Sequence, residues 1–332
     1  MKLALDYYPF LDLYHSGPKV FLNRLSKSIK KNNLCEIKTP FLPFFDIGLY
    51  SVYEKNFFNK KFVLRVDGIY FDKQNKFGDT KILNKRIFDS INKASGIIFI
   101  SHFSKKMVES FHEKIQKPNI IIHNKVPLNI FNKNGHNYRN KLGIGKNDKV
   151  LITSAHWRRH KRLNETIKLI NIMNEPGDQY KLIILGGKKK NNNQNPNIFF
   201  IGEVKPNELS AWYRTADIYI HLAWIEPCGN TQIEAMASGL PVVCCNNGGI
   251  GETIKEARGG IVSNCDNHFT PKLLDYYNPP EPNYNKLINA INEIFENLSK
   301  YKNSINNEYL DIDLGAKLYC RFIESINNEK AN

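Results

Sequence analysis

Glu226 and Glu234 stand eight positions apart within the stretch Ala216–Glu252, ADIYIHLAWIEPCGNTQIEAMASGLPVVCCNNGGIGE. Alternation over Asp217–Leu222 predicts a strand, and Pro227 and Gly229 break the loop Trp224–Gly229. Ile233, Met236, Ala237 and Leu240 recur at helical spacing, so a helix is expected from Asn230 to Ser238. Leu240–Cys245 is an apolar run suited to a buried parallel strand, and Asn246–Gly251 is a glycine-bearing loop. The two acids therefore frame a helix entry. The N–H groups of Gly229, Asn230 and Thr231 would point out of that helix start, where unpaired donors and the helix dipole favour a phosphate. Ionised carboxylates only accept hydrogen bonds, so hydroxyls are their natural partners. A diphosphate on the amides, with a ribose at one acid and a sugar at the other, fits this layout. Thr231-Gln232-Ile233-Glu234 also fits a capping box, in which Glu234 would satisfy only a backbone donor.

Other chemistry-bearing residues follow strand ends. The strand Val150–Ser154 leads into His156-Trp157-Arg158-Arg159-His160-Lys161-Arg162. Cations there would neutralise phosphates, at about 1.5–3 kcal/mol per charge-assisted hydrogen bond. The same loop also reads as a solvated basic turn, and Trp157 suits either stacking on a base or packing. Lys61–Val66 is a strand that runs into Asp67-Gly68. A carboxylate at that end lies where open α/β sheets bind ligands, although Asp-Gly is also a common turn pair. Gly17 closes the loop after the first strand, Leu3–Leu5, where a backbone can approach a ligand.

These residues need strands and helices in alternation to hold them. In the first half strands are expected at Cys35–Pro43, Ala94–Ile100 and Pro118–His123, with helices at Val20–Lys31 and Lys81–Lys93. Asn132–Lys149 is polar and reads as a linker with a short helix, Tyr138–Leu142. A second series follows: helix Leu163–Met173, strand Lys181–Leu185, low-complexity Lys188–Asn197 read as a mobile loop, strand Ile198–Ile201 and helix Lys205–Arg214. Ile312–Ile326 is a final helix. Two βα series imply two Rossmann-like domains, with right-handed crossovers placing their strand ends on facing edges. The expected division is residues 1–134, 135–310 and 311–332.

Glu-Pro-x-Gly at 226–229, Glu-Ala-Met-Ala-x-Gly-x-Pro-Val-Val at 234–243 and Gly-Gly-x-x-Glu at 248–252 together resemble the nucleotide-sugar site of the family 4 glycosyltransferases. Glu226 and Glu234 match that family's Glu-x7-Glu motif. The resemblance implies an α/β GT-B fold, with two Rossmann-like domains across a cleft and a last helix crossing back to the first. It implies a retaining, hexosyltransferase-type enzyme whose donor is a nucleoside diphosphate sugar and whose acceptor is a glycan, polysaccharide or glycolipid. Glu226 would contact the donor sugar, Glu234 the ribose, and the 229–231 amides the diphosphate, which the Gly17 loop would face. Lys161 matches the lysine of the family's Arg-x4-Lys. His156 stands where its arginine is expected, leaving the second phosphate contact to Arg158, Arg159 or His156 itself. Asp67 stands where many members carry a histidine and is read as an acceptor-side base or orienting group. Lys125 replaces the glycine of an Asn-Gly-Val segment. No DxD-like metal pair stands out, so no metal or other cofactor is expected to be required beyond the donor. A non-catalytic sugar-nucleotide binder and a GT-B epimerase share these expectations in part.

Composition sets the remaining bounds. Across 332 residues, 47 Lys and Arg against 32 Asp and Glu give a net charge of +15. The excess is spread along a Lys- and Asn-rich chain without a nucleic-acid-binding motif, so no nucleic acid partner is expected. Val20–Lys31 is basic and amphipathic, a pattern suited to a peripheral membrane contact. The start of the chain shows no secretory-signal pattern and no run approaches the roughly 20 apolar residues of a membrane span, so a cytoplasmic setting is expected. The six cysteines form no CxxC pair, and Cys244 and Cys245 read as small core residues.

Overall fold

Apolar runs such as Val150–Ser154 and Phe62–Val66 satisfy their pattern only in strands covered on both faces, and every residue of both runs is buried. A computed structural model of the chain describes residues 1–6, 17–54, 58–73, 78–175, 177, 180–187 and 195–329. The first series comprises β1 (Lys2–Leu5), α1 (Gly17–Lys31), β2 (Glu36–Lys38), β3 (Ile47–Ser51), β4 (Phe62–Val66), α2 (Thr80–Lys93), β5 (Gly96–Phe99), α3 (His102–Glu109) and β6 (Asn119–Ile121). Its strands form a six-stranded parallel sheet in the order β2-β1-β3-β4-β5-β6.

The second series comprises β7 (Val150–Ser154), α4 (Leu163–Asn174), β8 (Lys181–Leu185), β9 (Ile198–Gly202), α5 (Leu209–Tyr213), β10 (Ile218–His221), α6 (Thr231–Ala237), β11 (Val242–Cys245), α7 (Ile250–Glu256) and β12 (Gly260–Ser263). These strands make a second six-stranded parallel sheet, β12-β11-β10-β7-β8-β9. α8 (Tyr284–Glu296), α9 (Leu298–Ser304), α10 (Asn307–Leu310) and α11 (Ile312–Asn328) complete the chain. The short helix expected over 138–142 is a 3-10 turn at Asn140–Leu142 ended by left-handed Gly143.

α11 returns to the first sheet. Asp311 caps it by accepting from the Asp313 N–H at 3.0 Å, and main-chain bonds tie Val126 to Leu310 and Ile312. Its buried face, Ile312, Ala316, Tyr319, Ile323 and Ile326, shares one core with Leu3 and Leu5 of β1 and with α1. Phe21, Leu22, Leu25 and Ile29 of α1 lie in that core, so the core accounts for the helix's amphipathic pattern. No helix among the described residues is long and apolar enough to cross a membrane.

Contacts between the sheets come from residues that follow strand carboxyl ends. Asn230, beyond β10, donates through Nδ2 to Gly17 O at 3.3 Å and accepts from Asn124 Nδ2, beyond β6, at 3.1 Å. The Glu252 carboxylate on α7 accepts from the N–H groups of His102 and Phe103 at 2.7 and 2.8 Å, at the first turn of α3. The two carboxyl edges therefore face one another. Residues 7–16, with His15 and Ser16 of the first loop, and residues 188–194 of the low-complexity stretch lie outside the described residues.

Ile323 is fully buried between α11 and the first sheet. Ile323→Ala should lower the unfolding free energy by about 2–5 kcal/mol. Urea denaturation measures this, and a loss below 1 kcal/mol would mean that α11 contributes little to the first core.

Candidate functional site

Glu226 sits in the loop after β10, and two glycines hold its backbone. Gly249 N–H donates to Glu226 O at 2.9 Å, and Gly248 forms a parallel bridge with Glu226. A Cβ on Gly249 would lie 1.9 Å from Pro227 O, and Gly248 adopts φ +107°, so only glycines allow this approach. The Glu226 side chain is paired with Lys161 Nζ and lies 3.1 Å from His221 Nε2. Burial opposes its ionisation, yet the Lys161 ammonium and His221 hold its carboxyl well below the usual range. It is an ionised, acceptor-only group.

Lys161 ends a 3-10 turn, Arg159–Lys161, that precedes α4. Its neighbours point elsewhere. Arg159 pairs with Glu165 at 2.5 Å. Arg162, at φ 55°, is fully buried and bonds Asp266 through both terminal nitrogens at 2.9 Å. Cys245, Cys265 and Asp266 lie close enough to share a cation, and the Arg162 guanidinium already occupies that cluster. Trp157 donates through Nε1 to Leu185 O at 3.0 Å and packs, half-buried, on the second core. His156 and Arg158 are exposed, and the structure brings Lys161, not His156, onto Glu226.

The helix start is positioned as expected, whereas Glu234 is not a cap. α6 begins at Thr231 after Asn230, and no side chain caps it. Among the described residues the N–H groups of Gly229, Asn230 and Thr231 take no backbone acceptor. Glu234 is 4% exposed, and its carboxylate accepts from Arg24 at 2.6 Å and from Tyr213 OH at 3.1 Å. The capping-box alternative is thereby excluded. Arg24 lies on α1 of the first sheet, so this ion pair bridges the two halves; its Nη1 is buried without a partner among the described residues. Nothing near Arg24 in the sequence signals a carboxylate 210 residues away.

Asp67 lies at the carboxyl end of β4, paired with Arg65. Burial pushes its carboxyl upward and the adjacent guanidinium opposes the rise. Arg65 is fully buried and also donates to Asn124 Oδ1 at 2.7 Å and Tyr319 OH at 3.2 Å, which makes Asp67 the outer end of a buried network. Gly17 begins α1, and a Cβ there would lie 3.7 Å from Asn230 Nδ2 across the cleft. Lys125 is buried under Gly315 and donates to Tyr309 O, an arrangement that has no need of the family's glycine; burial lowers its ammonium to about 8. Tyr309 OH meets His123 Nδ1 at 2.7 Å, and His123 Nε2 meets Glu252 at 2.9 Å, extending the bridge between the halves.

His160 explains how the basic loop is packed. Its ring stacks on Tyr276 with centroids 4.2 Å apart, and burial followed by the Lys161 charge pushes its imidazole down to about 3. A histidine depressed below its unfolded value of roughly 6.5 adds stability that is complete above that value and is lost as pH falls towards 3. Carbon-13 NMR should find the His160 ring neutral throughout pH 8 to about 4. Protonation near pH 6 would place it in solvent instead.

Comparisons with known proteins match this geometry. Residues 135–291 match the family profile described as Glycosyl transferases group 1. Alpha-monoglucosyldiacylglycerol synthase of Streptococcus pneumoniae is 24% identical over 67% of this chain and 53% of its own length. Spore coat protein SA of Bacillus subtilis is 32% identical over 32% of this chain and 26% of its own. The chain spans about half or less of the length of these two relatives. Among solved structures, sucrose-phosphate synthase of Thermosynechococcus elongatus aligns with TM-score 0.66 and 16% identity over 96% of this chain and 81% of that one. Anabaena HepE in complex with UDP and glucose aligns with TM-score 0.65 and 16% identity over 98% and 99%. At such identities the likeness speaks to fold, and the fold is GT-B.

Proposed function

We propose that the chain, whose residues 135–291 match the Glycosyl transferases group 1 profile, moves a hexose from a nucleoside diphosphate sugar to an acceptor hydroxyl with retention of configuration. The observation that carries this reading is the ionised Glu226 carboxylate paired with Lys161 beside the uncapped start of α6, on the cleft between the two sheets.

Each residue then has a role. Lys161 and the amides of Gly229, Asn230 and Thr231 take the diphosphate, stabilising it as charge develops on departure. Arg158 and His156, on the same loop, reach its outer oxygens, and Gly17 lets the first domain's backbone approach from the opposite side. Glu226 accepts hydrogen bonds from the donor sugar. Glu234 accepts from the ribose, whose entry requires Arg24 to share or release that carboxylate. Asp67 orients the acceptor hydroxyl or takes its proton, with Arg65 holding it in place. The bridges between the halves supply a closed state that donor binding would stabilise and product release would open. No metal is needed, because cationic side chains and amides face the diphosphate. A uridine nucleotide is the first donor to test, since HepE was solved with UDP and with UDP-glucose and a pneumococcal O-GlcNAc transferase with UDP.

Two substitutions test these roles once a thermal-shift screen of nucleotide sugars has identified the donor. Glu226→Gln should lower transfer by about 100-fold or more, in line with loss of one transition-state contact, while the melting temperature stays near that of the parent. Unchanged turnover would remove Glu226 from the mechanism. Lys161→Ala should weaken nucleoside diphosphate binding by roughly 10- to 100-fold, the equivalent of one charge-assisted hydrogen bond. Calorimetry showing equal affinity would end its phosphate role.

A further inference from the structure

We propose that Cys35 and Cys320 are an oxidation-responsive pair, which hydrogen peroxide closes to a disulfide that staples the returning helix α11 to the first domain. The two stand 285 positions apart, and no spacing in the sequence joins them. In the fold their Sγ atoms lie 3.9 Å apart. Cys35 follows α1 and directly precedes β2, and Cys320 lies within α11. The carboxyl edges of the two sheets face the cleft, whereas Cys35 stands at the amino end of β2, so the pair is separate from the residues assigned to transfer.

Both thiols ride on anchored backbone. The turn before Cys35 is closed by Asn33 N–H donating to Lys30 O at 3.2 Å and Leu34 N–H donating to Ile29 O at 3.1 Å, with Asn33 at φ 50°. Glu36 N–H then donates to Met1 O at 3.1 Å. α11 is fastened beside this turn. Ser28 Oγ donates to Asp313 Oδ1 at 2.5 Å, and Lys31 Nζ lies 2.8 Å from Asp313 Oδ2. Leu34 and Cys35 pack against the core that contains Cys320. A disulfide bond is about 2.05 Å long, so the two sulfurs need to approach by roughly 1.9 Å, a shift within reach of side-chain rotation.

Exposure decides which sulfur reacts first. Of the six cysteines only Cys35 is not buried, so an oxidant in solvent meets it before the others. The hydrogen bond from the Cys320 thiol lowers the Cys35 thiol from its usual value, and the same bond, with burial, raises that of Cys320. The Cys35 sulfur attacks one oxygen of hydrogen peroxide; the S–O bond forms, the O–O bond breaks, and the departing hydroxide takes the thiol proton as water. The Cys320 sulfur then attacks the Cys35 sulfenic acid; the S–S bond forms, the S–O bond breaks, and hydroxide leaves with the Cys320 proton as a second water. Two thiols lose two electrons and one peroxide gains them. Cys245 and Cys265 also lie close together, but both are buried with Asp266, whose carboxylate Arg162 holds. The bond would join the helix carrying Tyr319, the partner of Arg65, to the turn that ends the helix carrying Arg24.

The test uses the full chain, reduced with dithiothreitol, desalted and then treated with hydrogen peroxide. Remaining thiols are alkylated in denaturant, and the chain is digested without reductant for mass spectrometry. A peptide pair joined through Cys35 and Cys320 should dominate, with the other four cysteines alkylated. Peroxide should raise the Tm by about 4 °C or more, because the bond closes a long loop of the unfolded chain, and dithiothreitol should reverse the rise. Cys35→Ser and Cys320→Ser should each abolish the peroxide-dependent rise. Cys35→Ser, at the more exposed position, decides the matter if Cys320→Ser does not fold. The proposal is overturned if Cys35 stops at a sulfenic or sulfinic acid, if it bridges to Cys35 of a second copy, if Cys245 and Cys265 form the bridge instead, or if the Tm rise survives Cys35→Ser. A Cys35–Cys320 bond that leaves the Tm unchanged would overturn its role as a staple.

Discussion

A carboxylate removed from water must find a cation or take up a proton, and Glu226 is held ionised by Lys161. The rest of the site is arranged around that pairing. The second sheet supplies both partners from neighbouring strand ends, Lys161 after β7 and Glu226 after β10. The Gly248-Gly249 turn after β11 clasps the Glu226 backbone from the next strand over. Three adjacent strands thus fix one charge pair, and α6 begins five residues beyond it.

Besides the apolar cluster in which Trp224 and Ile225 join Val66, Ile69 and Phe71, the two sheets meet through polar groups at this edge. Glu234 with Arg24 in the middle of α1, Asn230 with Gly17 and Asn124, and Glu252 with the start of α3 each join the second half to the first. Such contacts exchange readily for hydrogen bonds to water or ligand, because net gains per bond are about 0.5–1.5 kcal/mol. That balance suits the opening and closing proposed for the cleft. Glu252, the last acid of the Gly-Gly-x-x-Glu segment, is engaged by backbone N–H groups and His123, which holds its carboxyl lowered against the effect of burial.

Much of this was legible in the sequence where signals are local. The Glu226–Glu252 stretch showed its strand–loop–helix order because periodicity and glycines act within a few residues. Lys161 was singled out by the family resemblance, within a basic loop that follows a strand end. β3 escaped because Gly48 interrupts its short apolar run. α7 escaped because the glycines of 248–251 read as a loop, although its first turn begins at Ile250. The residues missed outright, Arg24, His221, Tyr213 and Tyr276, owe their positions to tertiary contacts. The ambiguity of Glu234 was of the same kind: its sequence fits a cap, and only the arrival of Arg24 from α1 decides against it.

A crystal structure of the chain with a bound nucleoside diphosphate sugar tests the central claim most directly. The account predicts phosphate oxygens within hydrogen-bond distance of Lys161 Nζ and the 229–231 amides, the sugar on Glu226 and the ribose on Glu234. A nucleotide seated away from the Lys161–Glu226 pair, with that pair unchanged and still closed on itself, would contradict it.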